Sequence, residues 1–77
     1  MNNKKKRLLD FINKRLLDEN LCEKYEIPLY DTVYERFCYV KYLILEIWNK
    51  EDIQKNLSGL FGLAYWKEIY LLLKEGI

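Results

Sequence analysis

Two carboxylate pairs, Glu23/Glu26 and Glu51/Asp52, and two cysteines, Cys22 and Cys38, are the side chains here with the most chemistry to offer. Paired carboxylates catalyse when their surroundings push the two pKa values apart, so that one holds a proton and the other does not. Both pairs sit among lysines in segments that read as solvated, and no glycine-rich phosphate cradle accompanies them. The cysteines lack the Cys-x-x-Cys spacing of a metal or redox site, so two reduced thiols are expected. The chain has no histidine, one serine (Ser58) and one threonine (Thr32), which leaves Ser-His, Cys-His and His-metal chemistry without members. No catalytic residue, cofactor or metal ligand is therefore expected.

At 77 residues the chain is expected to form one domain, residues 1–77, and residues 1–7 to be a flexible basic end. Hydrophobic residues make up 51% and charged residues 32%, too apolar for a disordered chain and too evenly charged for a membrane one. Lys41, Glu46, Lys67 and Glu68 break the apolar runs well short of the roughly 18 residues a spanning helix needs. The opening "MNNKKKRLLDFINKRLLDEN" starts like a signal peptide, but Asp10, Lys14 and Arg15 fall where its apolar region would have to be. The segment is expected to stay in a soluble, cytoplasmic protein. Lysine outnumbers arginine ten to three and Ala64 is the sole alanine, a bias expected of AT-rich coding DNA in a low-GC bacterium or its phage.

The groups above need elements to hold them. Leu8, Ile12 and Leu16, with Leu9 beside them, make one apolar stripe and predict a first helix over residues 3–20, with Lys14 and Asp18 as an i, i+4 pair on the opposite face. "EKYEIPLYD" holds the only proline, and Ile27 before it is pushed toward extended geometry, so this is a loop. Thr32 and Glu35 have capping-box spacing, with Asp31 as an alternative cap, and predict a second helix over residues 32–49. On its wheel Val33, Phe37, Val40, Ile44, Ile47 and Trp48 form one stripe, and Tyr34, Cys38, Tyr42 and Leu45 form another. Asn49 and Asp52 offer caps for a short third helix through Ile53, Leu57 and Leu60, interrupted at Ser58-Gly59, with Gly62 marking a second irregularity suited to a bend. The last helix is expected over residues 63–74, burying Tyr65, Trp66, Ile69, Leu72 and Leu73, with Gly76 as its cap. The predicted fold is all-α, a small bundle of three to four helices around a second helix that is apolar nearly all round.

The short helix, glycine-containing turn and last helix have the outline of a helix-turn-helix, and "YWKEIYLLLKEGI" resembles the reading-helix end of winged-helix proteins. That resemblance implies a DNA-binding regulator acting through Lys4, Lys5, Lys6 and Arg7 with Lys67 and Lys74. Charge argues against it. Residues 49–77 carry four lysines against Glu51, Asp52, Glu68 and Glu75, and the outward side of the last helix (Lys67, Glu68, Leu71, Lys74, Glu75) lacks the positive margin that phosphates favour.

The apolar account points elsewhere. So few segments cannot cover a second helix that is apolar over most of its circumference, so apolar surface must stay exposed. Tyr39 and Leu43 on its flank, Leu71 on the last helix, and Tyr25, Glu26, Tyr30 and Asp31 in the loop are the candidate partner-binding residues. The interleaved acids and tyrosines of residues 23–35 suit a basic groove, such as a nucleic-acid-binding machine offers. In size and style the chain is similar to anti-CRISPR and other mobile-element proteins, which implies an inhibitor or regulator that occludes a host machine. Another protein is the expected partner, with a homo-oligomer as a further expectation and no membrane.

Overall fold

A computed structural model describes residues 3–75, and over that span the fold is all-helical, with no strand. Helix α1 runs Asn3–Leu16, α2 Glu19–Lys24, α3 Val33–Tyr42, α4 Lys50–Phe61 and α5 Trp66–Lys74, and α3 continues into a π-helical turn, Leu43–Ile47. No described helix is long and apolar enough to cross a membrane.

The first helix stops earlier than its periodicity predicts. Asp18 does not face Lys14 across α1; its carboxylate accepts a hydrogen bond from the Leu21 amide at 3.2 Å and caps α2. Capping satisfies an otherwise orphaned amide, whereas an exposed i, i+4 ion pair adds only a few tenths of a kcal/mol, so the cap prevails. After α2 the chain reverses at Glu26, which takes a left-handed φ of 58°, and Ile27 drops into the core.

The second predicted helix is capped as its sequence suggests. Thr32 Oγ1 accepts from the Glu35 amide at 3.2 Å and donates to the Glu35 carboxylate at 2.9 Å. Its far end differs from the expectation: beyond Tyr42 the backbone widens, and the Trp48 amide bonds the Leu43 carbonyl at 2.7 Å, an i→i+5 closure. Ile47 is consequently exposed rather than continuing the buried stripe.

Asn49 caps α4 through a 2.8 Å bond from the Asp52 amide. Ser58-Gly59 does not interrupt α4, which runs on to Phe61. Gly59 is needed for a close approach instead: a Cβ there would fall on the Tyr25 hydroxyl. The break comes at Gly62, whose φ of 95° favours glycine. Residues 63–65 form a turn closed on the Gly62 carbonyl by the Tyr65 and Trp66 amides, so α5 starts at Trp66 rather than at 63. The expected Gly76 cap lies outside the described residues.

Ile12, Leu16, Leu57, Leu60 and Ile69 are fully buried, with Phe61, Val40 and Leu73 almost so. The helix with the most neighbours is α1, which packs on α2, α3 and α4; α3, the expected central strut, packs on α1, while its π-turn meets α5. Two arginines stitch this core. Arg15 Nε donates to the Leu60 carbonyl at 2.7 Å. Arg36, buried, donates from Nη1 to the Leu16 carbonyl at 2.7 Å and from Nε to the Tyr30 carbonyl at 3.1 Å. Each guanidinium thus meets one carbonyl in the last turn of a neighbouring helix, where the helix dipole favours a cation.

Candidate functional site

Burial of Arg36 decides which side of α3 faces out. With Arg36, Phe37, Val40, Leu43 and Ile44 turned inward, the opposite side carries Tyr34, Cys38, Tyr42 and Leu45, all exposed. Tyr34 is 72% exposed and Leu45 50%. Side chains at i and i+4 stack along one helix face, which aligns Tyr34 with Cys38 and Cys38 with Tyr42.

Loop tyrosine Tyr30 completes the surface. Its ring lies 6.0 Å from that of Tyr39, centroid to centroid, and Tyr39 lies 5.8 Å from Tyr42; the interplanar angles are 58° and 49°. Tyr30, Tyr34, Tyr39 and Tyr42 line a shallow pocket with Glu35 and Cys38. The Cys38 thiol beside Tyr34 pushes that phenol's pKa up, chiefly by hydrogen bonding and then by charge. On the other side of Tyr34 a second groove runs between α1 and α3, lined by Leu9, Asn13, Val33 and Phe37. Tyr34 therefore forms the ridge between two depressions. Asp31 and Glu46 are exposed on this stretch, Lys41 is half-buried, and the Arg36 guanidinium is turned to backbone carbonyls. The face is aromatic with an acidic bias.

The sequence candidates divide. Tyr30, Asp31 and the half-buried Tyr39 lie on or beside this face, and Glu26 is exposed at the preceding turn. Tyr25 packs against Gly59 of α4. Leu43 is a correction: it follows Arg36 by seven residues, hence on the same side of the helix, and is buried with it. Leu71 is exposed, but on α5. Tyr34, Glu35, Cys38 and Tyr42 were not among the candidates, although the second apolar stripe of the wheel contains three of them. Tyr65, expected inward, is half exposed and lies 5.7 Å from Phe11.

The basic candidates form a different region. Lys4, Lys5, Lys6 and Arg7 are the exposed opening turns of α1. Lys4 pairs with Glu68 of α5 at 3.0 Å, at the edge of a groove of about 770 Å³ that also includes Arg7, Phe11 and Tyr65. Lys67 and Lys74 lie over the rings of Trp66 and Tyr70, at 6.0 and 5.6 Å. The fold thus brings the start of α1 to the start of α5, with an acid between the cations.

Among the described residues no cluster of three or more His, Cys, Asp or Glu side chains is arranged to hold a metal. Cys22 is buried, and burial pushes its thiol pKa up against the opposing pull of Arg36. No protein-family model matches the chain, and neither a curated protein nor a solved structure matches it.

Proposed function

We propose that this chain is a non-catalytic binding protein that acts by protein-protein contact through the outer face of α3. The observation that carries the reading is Tyr34, 72% exposed, on one helix face with Tyr42 and Leu45. Tyrosines combine large contact area with a polar tip and are enriched at interface centres, and an apolar patch concentrated on one element is how binding surfaces differ from scattered exposed residues. Its biological role is that of an inhibitor or regulator, which occludes a partner by occupying its surface.

Site-directed photocrosslinking in the cells that make the protein tests this. A photoreactive residue at position 34, 42 or 45 should give discrete protein adducts that Tyr42→Glu or Tyr34→Glu removes, and the same residue at position 67 should give none. Sequence-selective duplex binding at physiological salt, lost on Lys67→Ala and flattened in its salt dependence by neutralising Lys4, Lys5, Lys6 and Arg7, would replace this reading with a DNA-binding one.

A further inference from the structure

We propose that the pocket among Tyr30, Tyr34, Glu35, Cys38, Tyr39 and Tyr42 seats a guanidinium group, an arginine side chain on a basic segment of the partner protein. This rests on the reading of the α3 face as a protein-binding surface and adds what that partner must present.

Four phenol rings and one carboxylate are a cation's surroundings. Ring faces attract a cation lying within about 6 Å of the centroid, and arginine does this more often than lysine. The three rings in sequence, Tyr30, Tyr39 and Tyr42, are tilted by 58° and 49° rather than stacked face to face. Glu35 supplies the counter-charge, and its position is fixed before any ligand arrives. One carboxylate oxygen is held by the Thr32 hydroxyl at 2.9 Å while that hydroxyl accepts the Glu35 amide at 3.2 Å, leaving the other oxygen for an incoming N–H. Glu35 is also the only formally charged residue of the lining.

The chemistry discriminates among occupants. An ammonium is strongly hydrated, and a shallow pocket returns too little to strip that water, whereas a guanidinium is weakly hydrated and flat enough to lie on a ring. A phosphate would meet the Glu35 carboxylate and no cation. A second copy docked with this pocket on the two-fold axis would set Glu35 against its own equivalent, a like-charge contact that costs association.

The test uses three blocked pentapeptides in which glycine alternates with two arginines, two lysines or two citrullines, titrated into the full chain labelled for NMR. Arginine peptide should shift the ring signals of Tyr30, Tyr34, Tyr39 and Tyr42 saturably. It should bind at least about threefold more tightly than the lysine peptide, and the citrulline peptide should leave the rings unmoved. Glu35→Gln keeps a capping-box side chain and therefore the fold, and should weaken arginine binding about five- to tenfold. Tyr34→Ala, at a largely exposed position, should weaken it too. Equal shifts from citrulline, shifts confined to other acidic surfaces, or an unchanged affinity in Glu35→Gln would overturn the proposal. So would a dimer, seen by sedimentation, that Tyr42→Glu dissociates, because the face would then be filled by a second copy. Crosslinks from position 34 that persist while the arginine peptide leaves the rings unmoved would remove this inference and leave the protein-contact reading standing; loss of both would remove both.

Discussion

Replacing Arg36 by methionine removes a buried charge while nearly keeping the side-chain volume, and the outcome turns on which of two opposed effects is larger. Holding a guanidinium out of water costs several kcal/mol, and among the described residues no carboxylate in contact with it offsets that cost; hydrophobic replacements of buried ions are sometimes stabilising for that reason. Against this, Arg36 makes two charge-assisted hydrogen bonds, 2.7 Å to Leu16 and 3.1 Å to Tyr30, each worth roughly 1.5–3 kcal/mol. The Leu16 carbonyl keeps only the weak Cys22 thiol contact at 3.4 Å once Arg36 is gone, and a buried unsatisfied acceptor costs about 1–3 kcal/mol. A cation at a partly buried helix C-terminus adds up to about 2 kcal/mol. The bonds and the orphaned carbonyl therefore outweigh the desolvation, and Arg36→Met should lose about 2–4 kcal/mol. A chain of this length is stable by roughly 4–12 kcal/mol in total, so the loss is a large fraction. With a urea slope of about 1 kcal/mol per M, the midpoint by circular dichroism should fall by about 2–4 M. Arg36→Lys, which keeps the charge but reaches one carbonyl, should fall between methionine and wild type. A methionine variant as stable as wild type would show that desolvation cancels the bonds and would refute the stitching argument.

Gly59→Ala should destabilise by about 1 kcal/mol despite alanine's better helix propensity, because Tyr25 must leave its seat; in a Tyr25→Ala background the same change should stabilise, which a double-mutant cycle in urea would read. Cys22, buried and with its pKa raised, is protonated in the native state where the unfolded thiol has already ionised. Wild-type stability should therefore fall more steeply than that of Cys22→Ala above about pH 8.5, by at most about 1.4 kcal/mol per pH unit, and a thiol reagent should label exposed Cys38 at once and Cys22 only on unfolding. Phe37→Ala, Ile44→Ala and Ile69→Ala should each cost about 2–5 kcal/mol by urea titration, as expected of large-to-small changes in a packed core.

Features decided within a few residues were legible in the sequence. Thr32 with Glu35, Asn49 with Asp52, and the Leu8/Ile12/Leu16 stripe all act over one or two helical turns, and all are found where their spacing puts them. What could not be read depends on neighbours distant in the chain. Gly59 and Gly62 both read as breaks in the sequence; Gly62 does bend the backbone, but Gly59 stays within α4 and makes room for Tyr25, 34 residues earlier. An arginine on a helix wheel ordinarily marks the solvent side, and Arg36 marks the opposite because the end of α1 supplies its acceptors. Once Arg36 is placed inside, Leu43 follows it there and Tyr34 and Tyr42 are turned out.

The π-turn carries the argument one step further. Had α3 continued as an α-helix past Tyr42, Ile47 would have returned beneath Ile44 and Val40 at the usual three- and four-residue spacing and been covered. A wider turn advances each residue by a smaller angle, so Ile47 falls behind the stripe and stands 56% exposed, while half-buried Trp48 closes the turn by bonding Leu43. The π-geometry is rare in proteins and concentrates at functional sites. Here it holds one apolar side chain, Ile47, in water, close in sequence to the outer-face Tyr42 and Leu45, and the hydrophobic effect within the single chain works against that placement. Local rules broken without compensation inside the fold are expected where a sequence serves binding as well as folding, and a partner covering the α3 face is what would supply the missing burial.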